Sequence, residues 1–315
     1  MRIWGKGKAI IMGSLVLGKA YARWLRFWYI RMPLPYELRR LLASLFPRPR
    51  SCQVSIGEFQ MALDPGDLLQ ANILLDGVWA LAFSRWWAYL VSRAQVIVDA
   101  GAHCGYFSLL ARQYAPDQAA IYAFEPNPHM QAQFERNVAL NGFERIHLVP
   151  QALSDCVGTL TLYVRDRIEP GATSRHRAAY FDRVLDVPAI PLDTFLDGQG
   201  IDRVDVVKID VEGAEGSVLA GMRAGLEAGR YGALALELHP AHLSPDQIDS
   251  ILADLRAAGF TLFAMEEDAA RRLEDDAGPV EELVALHAAV LPAFNLADGG
   301  SRLLLPDALA VQLGG

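Results

Sequence analysis

Two glycines and a carboxylate stand at a fixed spacing where a buried strand is expected to turn into a helix. Asp99 follows the apolar run Val96–Val98, and Gly101 and Gly105 come next, before a helical stretch. Because glycine has no Cβ, the backbone can turn sharply at these positions and approach a ligand closely. Asp99 could accept hydrogen bonds from turn amides or, through water, from the ammonium group of an amino acid. The spacing DxGxxxG differs from the GxGxxG of dinucleotide sites, which argues against a dinucleotide as the ligand.

A second carboxylate ends the next predicted strand. Glu125 lies 20 residues after the second glycine and is followed by Pro126 and Asn127. A carboxylate at this position can hold both hydroxyls of a ribose. Pro126 and Asn127 can begin the following helix without an acidic cap, which favours a binding role for Glu125.

A polar pair follows the third predicted strand, where an adenine would lie. Asp155 could accept a hydrogen bond from the exocyclic amine, and Ser154 could donate to a ring nitrogen. An ordinary turn explains the same Ser-Asp pair equally well.

The fourth predicted strand ends in alternating charged residues that could activate an acceptor. Asp210 is the first candidate for a general base or a group that orients a hydroxyl, with Glu212 in support. Lys208 lies on the same strand face as Asp210, where it could pair with it or hold an acidic group of a substrate. Glu215, at the start of the next helix, is expected to interact with the helix amino terminus.

The fifth predicted strand brings two more ionisable residues to the same sheet edge. Glu237 and His239 point to one side by the period of two, and His239 is an alternative base. Together with Asp210, and with Glu212 beside them, they could hold a divalent cation that polarises the acceptor oxygen. The spacing does not demand a metal, so the sequence predicts none and leaves Asp210, Glu237 and His239 as the alternative.

Short apolar runs that alternate with helical stretches predict the scaffold for these residues. Such runs are typical of strands that crossover helices bury on both faces. They are Val96–Val98, Ala120–Phe124, Ile146–Val149, Val204–Ile209 and Ala233–Leu236. The alternating segment Thr159–Val164 predicts a further strand, and the polar, Arg-rich segment 165–186 is expected to form a substrate lid. A helix is expected from about Ser244 to Ala258.

These motifs resemble those of the FkbM-type family of S-adenosylmethionine-dependent methyltransferases. The resemblance covers about residues 70 to 265 and is strongest in the string KIDVEGAE. The matching strings are Asp99–Ser108, Phe124–Asn127, Ala152–Asp155, Pro191–Phe195 and Val207–Glu215. The chain departs from the family at His103, where Asn is usual, and the larger, titratable ring alters the local cofactor geometry.

The resemblance implies a class I methyltransferase fold, which is α/β, Rossmann-like and doubly wound around a mostly parallel seven-stranded sheet. It also implies S-adenosylmethionine as the cofactor and a hydroxyl of a small molecule, sugar or natural product as the acceptor. The expected cofactor residues are Asp99, Gly101, His103, Gly105, Glu125, Pro126, Asn127, Ser154, Asp155 and Asp210. The expected catalytic residues are Lys208, Asp210, Glu212 and His239. The rival hypotheses are a nicotinamide-dependent oxidoreductase and a catalytically silent nucleoside-binding module.

The charge distribution divides the chain into zones. The 37 acidic and 29 basic residues give a net charge of −8, which argues against a nucleic-acid partner. Residues 1–50, by contrast, contain eleven Lys or Arg and one acid and are expected to form a basic, aromatic-rich helical extension. Residues 51–94 are expected to form a hairpin and helical lead-in, and 95–315 the methyltransferase domain.

An amphipathic helix is predicted from Leu17 to Trp28, with an aromatic face and a basic face. Its partner could be its own domain, another protein or an anionic membrane surface. With three scattered cysteines and a cytosolic type of cofactor, we expect a cytoplasmic protein, with a peripheral membrane contact left open.

Overall fold

The computed structural model describes residues 16–24, 51–165, 169–174, 181, 183–273 and 280–305. The strands of these residues are, in chain order, β1 (Cys52–Ile56), β2 (Phe59–Leu63), β3 (Val96–Ala100), β4 (Ala120–Phe124), β5 (Ile146–Val149), β6 (Ala152–Leu153), β7 (Gly158–Arg165), β8 (Glu169–Ser174), β9 (Arg183–Ile190), β10 (Val204–Ile209), β11 (Tyr231–Glu237), β12 (Phe260–Met265), β13 (Ala269–Arg272), β14 (Glu282–His287), β15 (Leu296–Ala297) and β16 (Arg302–Leu304). All five apolar runs named above are therefore confirmed as strands.

Helices connect these strands. They are α1 (Leu68–Asp76), α2 (Leu81–Val91), α3 (Tyr106–Tyr114), α4 (Pro128–Asn141), α5 (Leu192–Gln199), α6 (Glu215–Ala220), α7 (Arg223–Glu227) and α8 (Pro245–Ala257), with 3₁₀ turns at Leu291–Ala293 and Asp298–Gly300. The predicted start of α8 is confirmed, because Ser244 caps it and exchanges hydrogen bonds with Gln247 in a capping box.

One large sheet contains ten of the described strands in the order β15-β16-β13-β12-β14-β11-β10-β3-β4-β5. The five strands from β11 to β5 run parallel to one another, and β14 runs antiparallel to both β11 and β12. The expected mostly parallel seven-stranded sheet is confirmed as the part from β12 to β5. The sequence did not predict the antiparallel strands β13, β16 and β15, which extend the sheet beyond β12.

The sheet reverses its winding beside β3. The chain runs outward from β3 through β4 to β5 and then returns to β10 on the other side of β3. In open α/β sheets the loops at such a switch point separate and leave a cleft at the carboxyl ends of the strands. The fold therefore places the loops after β3, β4 and β10 around one cleft.

Helices cover both faces of the sheet, which explains why its central strands are apolar on both sides. On one face α2 and α3 bury large aromatic side chains, among them Trp86, Trp87 and Phe107. On the other face α5, α6 and α8 pack Leu196, Val218 and their neighbours against the strands. This arrangement confirms the doubly wound architecture.

A second sheet of four described strands, in the order β6-β9-β7-β8, lies within the segment between β5 and α5. Its strand β7 contains the predicted strand Thr159–Val164. The segment 165–186, which we expected to form a lid, includes β8 and the start of β9. Residues 166–168, 175–180 and 182 of that segment lie outside the described residues, and its lid role stays a prediction.

The lead-in begins with the predicted hairpin, β1 paired antiparallel with β2. The helical segment 16–24 lies against it, because a Cβ on Gly18 would stand 2.2 Å from the Cys52 sulfur and Ala22 is fully buried. Leu17 was expected on the apolar, buried face of this helix, but it is 67% exposed. This part of the helix thus contacts its own chain, while its expected continuation to Trp28 lies outside the described residues. No helix in the described ranges has both the length and the apolar character needed to cross a bilayer.

Candidate functional site

A cavity lies at the switch point and brings together six of the thirteen expected cofactor and catalytic residues. Its wall includes Gly101, His103, Glu125, Pro126, Asp210 and Glu212. Apolar side chains from outside the predicted motifs complete it, namely Leu69 of α1 and Leu160 and Leu162 of β7. The first group was expected from the sequence, whereas the second comes from tertiary packing that no local motif signals.

The glycine loop needs its glycines for a close approach to the neighbouring strand. A Cβ on Gly101 would stand 1.8 Å from the carbonyl oxygen of Asp210, and the residue has φ +78°. Gly105 has φ +92° and caps α3, and a Cβ there would stand 3.0 Å from the ring of Phe134. The two glycines therefore seat the loop against β10 and α4, and this contact fixes where Asp210 enters the cavity.

Glu125 is held rigidly at the end of β4. One carboxylate oxygen accepts the backbone N–H of His103 at 2.8 Å, and the other accepts the N–H of Asn127 at 2.8 Å. Burial raises the pKa of this carboxyl, while His103 and the two amides act in the opposite direction. Each carboxylate oxygen keeps a second lone pair, so Glu125 can still accept from two ligand hydroxyls.

The two residues after Glu125 have different surroundings. Pro126 lines the cavity as expected. The side chain of Asn127 is buried and accepts the N–H of His129, which makes it the cap of α4. The expected cofactor contact of Asn127 is thus replaced by a structural one.

Asp99 lies beneath the cavity rather than on its wall. It is fully buried, accepts the Ser108 hydroxyl at 2.6 Å and lies 3.4 Å from the Lys208 nitrogen. The expected contact between Asp99 and a ligand ammonium is therefore not what the structure shows. The alternation of side chains along a strand does not show whether a residue near the strand's end faces the cavity or is buried beneath it.

Lys208 is also fully buried, and it pairs with both neighbouring carboxylates. Its Nζ lies 3.2 Å from Asp210 Oδ2 and donates to the carbonyl of Gly101 at 3.2 Å. Burial alone would lower the pKa of Lys208, but Asp210 and Asp99 raise it above the ordinary value. The expected pairing with Asp210 is found, and the alternative contact of Lys208 with a substrate is excluded by its burial.

An acid–histidine cluster surrounds Asp210 at the other end of the cavity. The Nε2 atom of His239 lies 3.8 Å from Asp210, 3.9 Å from Glu212 and 3.8 Å from Glu237. Its Nδ1 lies 2.6 Å from a carboxylate oxygen of Glu215, which is fully buried and also accepts the N–H of Gly213. The sequence treated Glu215 as a helix-start acid and missed that it orients His239.

The cluster shifts the ionisation of its members. Burial, followed by the charge of Asp210, raises the pKa of Glu237 to about 8. Burial alone would lower the pKa of His239, but the hydrogen bond with Glu215 and the nearby carboxylates raise it to about 9. A pKa raised to about 9 favours the charged form of the His239 ring beside these carboxylates at neutral pH.

The same cluster provides the geometry of a metal site. Asp210, Glu237 and His239 each offer one ligand atom, and these atoms lie within 4.8 Å of one another. The alternative metal ligands that the sequence suggested are thus close together.

Ser154 and Asp155 do not line the cavity. The Ser154 hydroxyl is directed at Asp155 at 2.9 Å, Ser154 is buried and Asp155 is exposed. The segment Gln151–Leu153 just before them forms the wall instead. The two side chains expected to meet an adenine therefore do not face the cavity, whereas the three residues before them do.

The described residues fit an S-adenosyl nucleoside on three observations. The glycine loop forms part of the cavity wall at Gly101, the carboxylate of Glu125 lines the cavity, and an apolar wall of Phe124, Leu153 and Leu160 lies next to it. A ribose needs the carboxylate, and an adenine needs apolar surfaces to stack against.

Comparison with known proteins agrees with this geometry. The family model described as Methyltransferase FkbM domain matches residues 99–262, just over half of the chain. The Methyltransferase sdnD of Sordaria araneosa is 35% identical, with 40% of this chain and 60% of that protein covered. The 2-O-methyltransferase NoeI of Sinorhizobium fredii is 26% identical, with 43% of this chain and 60% of that protein covered. The chain thus spans about 60% of the length of these curated relatives.

Among solved structures, a methyltransferase FkbM from Methylobacillus flagellatus KT shares 17% identity at a TM-score of 0.40, over 62% of this chain and 44% of that one. The domain model itself spans the glycine loop, Glu125 and the acidic string after β10. On this match the chain belongs to the FkbM methyltransferase family.

Proposed function

We propose that this chain transfers the methyl group of S-adenosylmethionine to a hydroxyl oxygen of a small molecule or glycan. The observation that carries the proposal is the shared cavity, in which Glu125 lies at one end and Asp210 and Glu212 lie at the other. A carboxylate suited to a ribose and a carboxylate suited to a hydroxyl proton therefore face the same space.

The cofactor end is formed by backbone geometry and Glu125. The glycine loop forms the wall at Gly101, and Glu125, whose orientation two amides fix, would accept hydrogen bonds from the ribose hydroxyls. When bound, the cofactor supplies an electrophilic methyl group on a sulfonium. The remaining requirement is to align a hydroxyl with that methyl group and to remove its proton.

Asp210 is the residue proposed to perform that step. Its carboxylate lines the cavity and is oriented by Lys208 from behind. Asp210 would accept the proton that the hydroxyl loses on methylation, and S-adenosylhomocysteine would be the leaving group. Glu212, which is 44% exposed on the same wall, supports the acceptor by a second hydrogen bond.

His239 lies between Asp210 and the buried Glu215 and holds the carboxylate of Asp210 in place. The protonated ring of His239 lies within 4 Å of Asp210 and is fixed from its far side by Glu215. A charged neighbour at this distance stabilises the carboxylate. We therefore assign His239 a positioning role in place of the alternative base suggested by the sequence.

Metal assistance is the second form of this mechanism. It is favoured by the compact arrangement of Asp210, Glu237 and His239. A divalent cation there would polarise the acceptor oxygen. Removal of metal with EDTA and readdition of Mg²⁺ or Mn²⁺ distinguishes the two forms, because the proton-transfer form keeps its full rate after chelation.

The acceptor class is supported by charge and by a relative. A net charge of −8 provides no positive field for a phosphate backbone. One curated relative is named a 2-O-methyltransferase. We therefore propose an uncharged or weakly charged polyhydroxylated acceptor.

The test is methyl transfer from isotopically labelled S-adenosylmethionine to a panel of sugars and hydroxylated small molecules, read by mass spectrometry. Asp210→Asn should reduce turnover by about 10²-fold or more and leave cofactor affinity nearly unchanged. The control Asp117→Asn changes an exposed acid in the loop at the opposite edge of the sheet and should not alter turnover. Cofactor binding without transfer to any acceptor, or full activity of Asp210→Asn, would contradict the proposal.

A further inference from the structure

The helical segment 16–24 packs on the lead-in through its smallest residues. Gly18 and Ala22 lie four positions apart, so they share one face of the helix. Ala22 is fully buried, and a Cβ on Gly18 would stand 2.2 Å from the Cys52 sulfur and 3.2 Å from Pro65. The face that contacts the rest of the chain is therefore formed by small residues.

The opposite face carries large aliphatic side chains. Val16 and Leu17 are 66% and 67% exposed, and Ala20 is exposed as well. These three residues, called the outer face below, lie on the side of the helix turned away from Gly18 and Ala22. Only four large hydrophobic side chains are strongly exposed in the part of the chain that the structure describes, and two of them lie here. A helix that only packs on its own chain is expected to bury such residues instead.

Basic side chains border the outer face. Lys19 lies three positions after Val16, and Arg23 lies three positions after Ala20, so both are neighbours of this face on the helix surface. Arg23 is exposed and Lys19 is half-buried. Residues 1–50 contain eleven Lys or Arg and one acid, whereas the remaining residues contain 18 Lys or Arg and 36 acids. The outer face thus belongs to the basic zone of an otherwise acidic chain.

Two aromatic rings lie beside the same face. Tyr21 and Trp24 are half-buried, and their ring centroids lie 5.6 Å apart. Trp24 lies four positions after Ala20 and borders the outer face on the side opposite Arg23. Tryptophan and tyrosine concentrate at membrane–water interfaces, because their rings are apolar and also carry a hydrogen-bonding group. Aliphatic, aromatic and basic residues therefore share one surface of a short helix.

We infer that the outer face binds the surface of an anionic lipid bilayer. Val16 and Leu17 insert below the lipid headgroups. Lys19 and Arg23 contact the lipid phosphates, as the basic side chains of interfacial helices do. An anionic surface attracts the basic zone and repels the acidic remainder of the chain, which favours one orientation. None of these residues lines the cavity, so this docking is independent of the proposed methyl transfer.

A lipid bilayer fits this surface better than a nucleic acid does. Both partners are anionic, but a nucleic acid offers phosphates and the faces of bases. The side chains of Val16 and Leu17 would gain little burial there, whereas the hydrocarbon of a bilayer removes them from water. The aliphatic part of the outer face is thus the observation that selects lipid.

The experiment is sedimentation of the full chain with vesicles of phosphatidylcholine mixed with phosphatidylglycerol, and with vesicles of phosphatidylcholine alone. We expect binding to the mixed vesicles that weakens as salt is added, because salt screens the attraction. Binding to the neutral vesicles should be about tenfold weaker or more. Absence of binding to the mixed vesicles, or equal binding to both kinds, would overturn the inference.

Two matched valines test the insertion. Val16→Gln removes an aliphatic side chain from the outer face and should weaken binding to the mixed vesicles about tenfold. Val157→Gln makes the same change at a residue that is 68% exposed in the turn before β7, and it should bind like the wild-type protein. Both valines are exposed, so urea unfolding should show unchanged stability in both variants. Equal vesicle affinity of Val16→Gln and the wild-type protein would overturn the insertion.

A matched pair of arginines tests the charge contribution. Arg23→Gln should weaken binding to the mixed vesicles about fivefold at low salt and have little effect at high salt. Arg203→Gln, which changes a side chain that is 58% exposed just before β10, should not alter binding. Equal losses in the two variants would indicate attraction by charge at large rather than by the outer face, and would overturn the assignment.

A fluorescent label reports the depth of the outer face. Leu17→Cys is labelled with an environment-sensitive fluorophore in a Cys156→Ser background, because Cys156 is exposed while Cys52 and Cys104 are buried. At saturating mixed vesicles we expect a blue shift of its emission, and none for a label at Val157→Cys. An unchanged emission at the first position, or equal shifts at both, would contradict insertion of this face.

Polyuridylic acid tests the alternative anionic partner. We expect that it does not displace the wild-type protein from the mixed vesicles, because it offers no hydrocarbon to the outer face. Complete displacement, together with equal affinity of Val16→Gln and the wild-type protein for the polymer, would identify a site for polyanions and overturn the assignment to lipid.

Discussion

Replacing Gly101 by Ala tests the contact that positions Asp210. The added Cβ would stand 1.8 Å from the Asp210 carbonyl oxygen, although real Cβ contacts do not approach closer than 3.0 Å. The obstacle is backbone, so no side-chain rotation can relieve it. The loop and the end of β10 must separate by about 1.2 Å.

The size of the effect follows from two contributions. An Ala in the left-handed region costs roughly 1 kcal/mol relative to Gly. Overpacking against a fixed neighbour adds about 1–3 kcal/mol. Gly142 provides the matched control, because it has φ +60° and nothing within 4 Å of its added Cβ. Gly142→Ala should therefore cost about 1 kcal/mol in unfolding free energy, and Gly101→Ala about 2–4 kcal/mol.

Urea unfolding measures the unfolding free energy of both variants. A methyl-transfer assay measures their turnover. Because Asp210 must move by about 1 Å, turnover of Gly101→Ala should fall by about 10²-fold, while Gly142→Ala should keep the wild-type rate. Equal losses of stability in the two variants, or full turnover in Gly101→Ala, would refute the described contact between the glycine loop and β10.

Three further predictions concern the charged groups. Glu125→Ala should weaken S-adenosylhomocysteine binding by roughly 10-fold or more in calorimetry, because each charge-assisted hydrogen bond contributes about 1.5–3 kcal/mol; unchanged affinity would contradict the ribose assignment. Lys208→Met should lower the unfolding free energy by about 3–5 kcal/mol because it leaves Asp99 buried without its cation. The double variant with Asp99→Asn should recover part of that loss in urea unfolding, and no recovery would argue against the pair. Since the pKa of His239 is raised from 6.5 to about 9, its stabilisation is complete below pH 6.5 and disappears as the pH rises through about 9. Denaturation at several pH values should show this decline, and His239→Gln should reduce it.

Much of the fold could be predicted because strands buried on both faces leave continuous apolar runs. The same signal marked β3, β4, β5, β10 and β11 in the sequence. The strands β13, β15 and β16 could not be predicted in this way, because they are two to four residues long. Segments of that length carry too few residues for a period of two to be recognised.

The site shows a different limit. Gly101, Glu125 and Asp210 could be identified because a turn and two strand ends fix their positions. The pairing of Lys208 with Asp210 was expected, but the burial of Lys208 and Asp99 beneath the cavity was not, since a sequence does not show how deep a buried ion pair lies. Glu215 lies 24 positions before His239. Only the folded chain brings these partners together.

Hydrogen–deuterium exchange with and without S-adenosylhomocysteine tests the central claim most directly. We predict slower exchange in the segments 99–107, 123–127 and 208–214, which surround the switch-point cavity, and no change along α8. Protection confined to α7 and α8, which border a separate groove near Leu226 and Ile251, or no protection at saturating ligand, would contradict the account.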